Sequence, residues 1–168
     1  MGCDDYEDNG AYHAVDLCDS RYEDVPAYAV TYRGSLIPEP ASQQVAVYQI
    51  DGAWFVGISG YSWRPGQPVV TLRHERPISA EDAVELTALL SAPTFERLDE
   101  LGYYGSTGLI CMDGASLRIS SRTDGAVTTV GQHTCAGKTE FSQIAGRFRE
   151  TALRYAPEFA NLLDGLID

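Results

Sequence analysis

"VAVYQIDGAWFVGI", residues 45–58, decides the fold. Two apolar, β-rich runs flank Asp51-Gly52, the dipeptide that a two-residue type I′ turn demands because both central residues must take positive φ. Pairing about that turn sets Tyr48 opposite Phe55, Val47 opposite Val56 and Gln49 opposite Trp54. Both faces of the hairpin are largely apolar, which predicts a central pair of strands covered on both sides.

Outward from this hairpin the same alternation continues. In "AYAVTYRG" (27–34) Tyr28, Val30 and Tyr32 recur every second residue, as on a strand. "PVVTLRHE" (68–75) is expected to add another strand, with Val70 and Leu72 on one face. The period then changes. "SAED" from Ser79 supplies an N-cap serine and early acids, and Ala83, Leu86 and Leu90 follow at helical spacing. "PTFERLDELG" (93–102) is expected to be a second helix, with Pro93 suited to its first turn and Gly102 to its C-cap.

"CMDGASLRISSRTDGAVTTVGQHTC" (111–135) holds two more strands turning near Thr123-Asp124-Gly125. Beyond it Phe141, Ile144, Ala145, Phe148, Ala152 and Tyr155 describe one helical stripe, closed by Pro157. A last helix would place Phe159, Leu162, Leu163 and Leu166 on one face. The halves also rhyme: "VYQIDGAWFV" and "LICMDGASLR" share Asp-Gly-Ala 62 residues apart, each followed by strand, turn, strand and helix. The fold expected is therefore α+β: one antiparallel sheet built from β-hairpins, amphipathic helices on one side, and two ββα units. Chance recurrence of Asp-Gly-Ala in a common motif is the competing explanation.

The chain has 168 residues, 44% of them hydrophobic, which suits a single globular domain. Its formal charge of -12 repels nucleic acid and anionic membranes. Much of that charge sits at the start, where Asp4, Asp5, Glu7, Asp8, Asp16, Asp19, Glu23 and Asp24 face Arg21 alone. Residues 1–26 are accordingly expected to be an acidic flexible tail or tether, and 27–168 the α+β domain. No apolar stretch approaches the ~18 residues needed to cross a bilayer. The start, "MGCDDYEDNG", lacks the basic and apolar regions of a signal peptide. Either the chain is cytoplasmic, or Met1 stands where an export signal has been removed. "GC" before an acidic run looks like the mature start of a bacterial lipoprotein, in which Cys3 would carry the lipid.

Of four cysteines, Cys111 and Cys135 lie equally far from Thr123. Continuous strands would bring their Cβ atoms within disulfide range, worth about 3–4 kcal/mol by chain-entropy arithmetic. A tight turn at Asp113-Gly114 would instead carry Cys111 out of reach, unless a bulge at Gly114 preserved the register. Such a bridge implies an exported, oxidised protein. Cys18 has no evident partner beyond Cys3.

No cofactor or metal motif is complete. "HTC" sets His133 beside Cys135 without the spacing zinc requires. Asp5, Glu7, Asn9, Gly10 and Asp16 imitate a calcium loop imperfectly, and a solvated acidic run explains them better. "GISGY" (57–61) misses the hydrolase elbow at its last position. His74 and His133 fall near strand ends and would need a nucleophile to form a hydrolase site. The binding candidates are aromatic: Tyr61, Trp63 and Arg64 in "GYSWRPGQP" (60–68), with Tyr103 and Tyr104 as a second patch. Folding of Trp63 under the sheet as a lid is the competing explanation.

Residues 108–156 resemble a module of bacterial secreted proteins and lipoproteins: Cys-x-Asp-Gly, a hairpin, a second Cys and an amphipathic helix. Here these are Cys111, Asp113, Gly114, Cys135 and residues 139–155. The resemblance implies fold and an exported location, and assigns no functional residue. The expectation is a non-catalytic, periplasmic or lipid-anchored protein of the cell envelope that binds a protein or an envelope polymer. It would bind no nucleic acid and would touch the membrane only through a lipid on Cys3. An immunity or inhibitor protein for a basic toxin or enzyme is the first alternative, and a hydrolase using His74 or His133 the second.

Overall fold

Asp51 and Gly52 take φ of 50° and 80°, and the turn they make joins β2 (Ser42–Ile50) to β3 (Ala53–Ser62). Across it Tyr48 opposes Phe55, Val47 opposes Val56 and Gln49 opposes Trp54. The computed structural model describes residues 15–34, 42–62, 70–104 and 114–162. The remaining strands are β1 (Ala27–Gly34), β4 (Val70–Pro77), β5 (Ala115–Thr123) and β6 (Ala126–His133). All neighbours pair antiparallel in one six-stranded sheet, ordered β4-β3-β2-β1-β5-β6. A second tight turn, Asp124-Gly125 with φ of 51° and 75°, closes the β5–β6 hairpin.

The pairs β3–β4 and β5–β6 occupy opposite edges of the sheet. Each leads into helix: α1 (Ala80–Ala88) and α2 (Ala92–Leu101) after β4, α3 (Glu140–Tyr155) after β6. The α+β class and both strand–strand–helix units are therefore present. Local rules explain the helix ends. The Ser79 hydroxyl accepts from the Asp82 N–H, Pro93 sits in the first turn of α2, and Gly102 ends α2 at φ 70°.

All three helices cover one face. Ala83 and Leu86 of α1, Phe95 and Leu98 of α2, and Phe141, Ile144, Ala145, Phe148 and Ala152 of α3 pack on Val30, Val45, Val47, Val56, Ile58, Leu117, Ile119 and Val130. After α3, Pro157–Leu162 forms a 3₁₀ segment that lays Phe159 on this cluster. Leu163 and Leu166 lie outside the described residues. Strand β4 starts two residues later than expected, and Leu72 on this edge strand is 46% exposed.

The opposite face corrects the sequence reading. Residues 1–26 do not all form a tether, because from Val15 onward the segment packs on the sheet. Val15 and Leu17 are fully buried and Tyr22 nearly so, in a cluster with Ala27, Ala29, Ala46, Tyr48 and Val127. The acids interleaved in the segment, of which Glu23 and Asp24 are exposed, hid its four apolar anchors, Val15, Leu17, Tyr22 and Val25, from a composition argument.

Candidate functional site

Strands β1, β3 and β6 end, and β2, β4 and β5 begin, at one end of the sheet. Tyr103 and Tyr104, singled out in the sequence, map to that end, as does the main chain of Tyr61. The main chain of Tyr61 lies near the end of β3, opposite Ser42 and Thr71. Trp63 and Arg64 lie outside the described residues. Tyr103 and Tyr104 follow α2 and meet the end of β6, where the His133 N–H donates to the Tyr103 carbonyl at 2.7 Å. Four strand intervals separate β3 from β6, about 19 Å at ordinary spacing. The structure thus sets the main chain of Tyr61 and the Tyr103–Tyr104 patch at one end of the sheet, four strands apart.

His133 completes the second patch, a grouping that no sequence spacing announced. Its ring lies 5.9 Å from Tyr103 and 5.5 Å from Tyr104, whose own rings meet edge to face at 4.9 Å. Imidazole Nδ1 accepts the Cys135 N–H at 3.2 Å. Beside it Thr134 Oγ1 accepts the Ala115 N–H at 3.1 Å, tying the start of β5 to the end of β6. His133 is buried, whereas Tyr103 is 44% exposed. The three rings fill the space between them, so the cluster offers a surface, with Tyr103 outermost.

General base chemistry needs more than this cluster provides. Nδ1 of His133 is occupied, and among the described residues no hydroxyl or carboxylate hydrogen-bonds either histidine ring. His74 stacks on Phe159 at 3.6 Å, next to the Arg76–Glu158 ion pair at 2.9 Å. These contacts anchor the segment after α3 to the edge strand. No group of three or more potential metal ligands gathers among the described residues.

One other concavity is a shallow groove of 510 Å³ between α1 and α3, lined by Glu85, Arg147, Glu150, Leu153 and Arg154. Its charges pair with one another: Arg147 with Glu85 and Glu150, and Arg154 with Asp82 at 2.9 Å. Such half-exposed pairs are screened by water and contribute little. At the N-terminal end of α1 the Tyr155 hydroxyl donates to Asp82 at 2.5 Å and holds its carboxyl below the usual carboxylate range.

Cys18 and Cys135 are both disulfide-bonded. They cannot be bonded to each other. Cys18 lies where Arg122 reaches the Leu17 carbonyl, and Cys135 lies where Ala115 meets Thr134. Seven residues of β5 separate these places, about 23 Å. Cys3 and Cys111 lie outside the described residues, and the expected Cys111–Cys135 pairing lies there with them. Comparison with protein-family models and with curated proteins returned no match.

Proposed function

We propose that this chain is an exported, non-catalytic binding domain of the bacterial cell envelope. The observation that carries the reading is the oxidised state of Cys135, directly beside the Tyr103–Tyr104–His133 cluster. Reducing compartments do not sustain structural disulfides. Cys111 is the proposed partner of Cys135, since it lies only four residues ahead of Ala115, which is hydrogen-bonded to Thr134. The aromatic rings, with Tyr103 presented to solvent, suit contact with a protein or an envelope polymer. Tyr61, Trp63 and Arg64 are proposed as a second contact; Cys3 is not proposed as a lipid anchor, because Cys18 is disulfide-bonded and Cys3 is the cysteine left to pair with it once Cys111 is given to Cys135.

Two measurements test this. Cell fractionation of the native host with immediate thiol alkylation should find the chain in the envelope fraction with its cysteines unalkylated. Recovery in the cytoplasm with free thiols at Cys111 and Cys135 overturns the exported reading. For binding, Tyr103→Ala/Tyr104→Ala should lose association with isolated envelope material while melting close to wild type. Unchanged association removes these residues from the interface.

A second reading, an immunity or inhibitor protein for a basic toxin or enzyme, draws on the outer surface of α1 and α2. Glu81, Glu96, Asp99 and Glu100 are exposed there with Arg97 as the one cation, itself paired with Glu140 at 2.7 Å. Charge reversal at Glu96 and Glu100 would slow association with a basic partner and leave the aromatic contact unchanged.

A further inference from the structure

Residues 15–25 pack on the helix-free face of the sheet over Ala27, Ala29, Ala46, Tyr48 and Val127. There the Gln44 carboxamide accepts the Val15 N–H at 2.9 Å and donates to its carbonyl at 3.1 Å, and buried Arg122 donates to the Leu17 carbonyl at 2.6 Å. Toward the end of the sheet that carries Tyr103, the same face presents two further arginines. Side chains alternate along a strand, so Arg33 follows Ala27, Ala29 and Thr31 on this face of β1, and Arg118 shares it with Arg122 on β5. Arg33 opposes Ser116 and Arg118 opposes Thr31, which makes the arginines diagonal neighbours, about 7–8 Å apart at ordinary sheet geometry.

Both arginines are exposed, and among the described residues no carboxylate pairs with either. Arg21, Arg76, Arg97, Arg147 and Arg154 each hold an acid. The contrast matters in a chain with 24 acids and 12 lysines and arginines. Like charges side by side on a sheet repel unless an anion lies between them. Gly131, opposite Arg118, marks one border of the pair. A Cβ there would lie 3.6 Å from Arg118 Cγ and 3.9 Å from Tyr103 Cδ2, so the arginine stem and the exposed ring flank the same point.

We infer that Arg33 and Arg118 form a phosphate site, on which a phosphodiester polymer of the envelope docks with an adjoining polyol or sugar unit against Tyr103. A tetrahedral phosphate directs its oxygens out of one plane and takes both guanidinium forks, whereas a planar carboxylate is filled by one. The chain's remote acids are screened beyond about 8 Å at physiological salt, which leaves the local pair to decide. Nucleic acid also carries phosphodiesters, but it calls for a basic stripe rather than one arginine pair. The polymer's identity rests on the exported location proposed above; the phosphate site does not, so either can fail without the other.

Calorimetric titration of the full chain with poly(glycerol phosphate) reads the site. Arg33→Gln/Arg118→Gln should weaken binding at least about tenfold and melt close to wild type, since both side chains lie on the surface. Either single variant serves if the pair does not fold. Arg97→Gln/Arg147→Gln removes the same charge from the helix layer and should bind as wild type does. No binding, unchanged affinity in the first variant, equal loss in both, or equal binding of polygalacturonate overturns the phosphate site. On isolated envelope material, cold hydrofluoric acid, which cleaves phosphodiesters, should abolish association, and proteinase treatment should leave it intact. The reverse result makes the partner a protein and overturns the polymer. Association lost in Tyr103→Ala/Tyr104→Ala but kept in the arginine variant overturns this site and leaves the proposed function standing.

Discussion

Gly114 and His133 occupy the same corner so closely that a Cβ at Gly114 would stand 2.6 Å from His133 Cε1 and 3.2 Å from Thr134 Oγ1. Gly114 also has φ of 142°, where side chains are strained. Gly114→Ala should therefore cost about 2–4 kcal/mol, from overpacking and backbone strain together. It should also displace the ring that rests against Tyr103 and Tyr104. Urea unfolding monitored by near-ultraviolet circular dichroism checks both effects, and a wild-type midpoint would remove the close approach from the account.

Leu17→Ala distinguishes a packed segment from a tether. Leu17 is fully buried on the second face, so truncation should destabilise the domain by about 2–5 kcal/mol. A residue in a solvated tail would cost nothing measurable. Thermal unfolding of the single variant decides between them.

Alkaline pH should weaken the fold through its buried tyrosines. Burial pushes Tyr22, Tyr28, Tyr32 and Tyr48 upward, and at Tyr48 the hydrogen-bonded Glu75 carboxylate adds to the effect. Their folded pKa values lie above the unfolded value of about 10. Above that pH the unfolded chain has released protons that the native state still binds, so stability falls as pH rises. Below it the contribution is fully present. Urea midpoints between pH 9 and 11 should decline, and Tyr48→Phe should show a shallower decline than wild type.

The acid limb should depend on Asp82. Its carboxyl is lowered chiefly by the Tyr155 hydroxyl, and then by Arg154 and the Ser79 hydroxyl. A folded pKa below the unfolded one stabilises the protein above the unfolded value and is lost as pH falls through the folded value. Tyr155→Phe should cost about 1 kcal/mol at neutral pH and flatten the acid dependence. An acid profile identical to wild type would exclude the Asp82 contact as its source.

The hairpin at Asp51-Gly52, the Ser79 cap, the Gly102 stop and the stripe of α3 were legible because each depends on residues close in sequence. A positive φ selects glycine or aspartate at a turn, and a helix face repeats every three to four residues. Two ββα units could be read for the same reason. Gln44 and Arg122 were not legible. A buried glutamine or arginine has no sequence signature, since its burial depends on what a distant segment lays over it. The patch at Tyr103 and Tyr104 was visible as residues, but its third ring, His133, arrives from β6 across a main-chain hydrogen bond 30 positions away.

Local order along this chain was set by short-range sterics and apolar period, which the residues carry with them: where strands turn, where helices start and stop, and which side of each is greasy. Only the folded molecule decided that the acidic segment from Val15 to Val25 belongs to the second layer, that Cys18 and Cys135 lie at opposite ends of β5, and that His133 sits against two tyrosines. Those outcomes follow from long-range burial. Which polar group leaves water depends on the whole arrangement around it, and no window of sequence contains that sum.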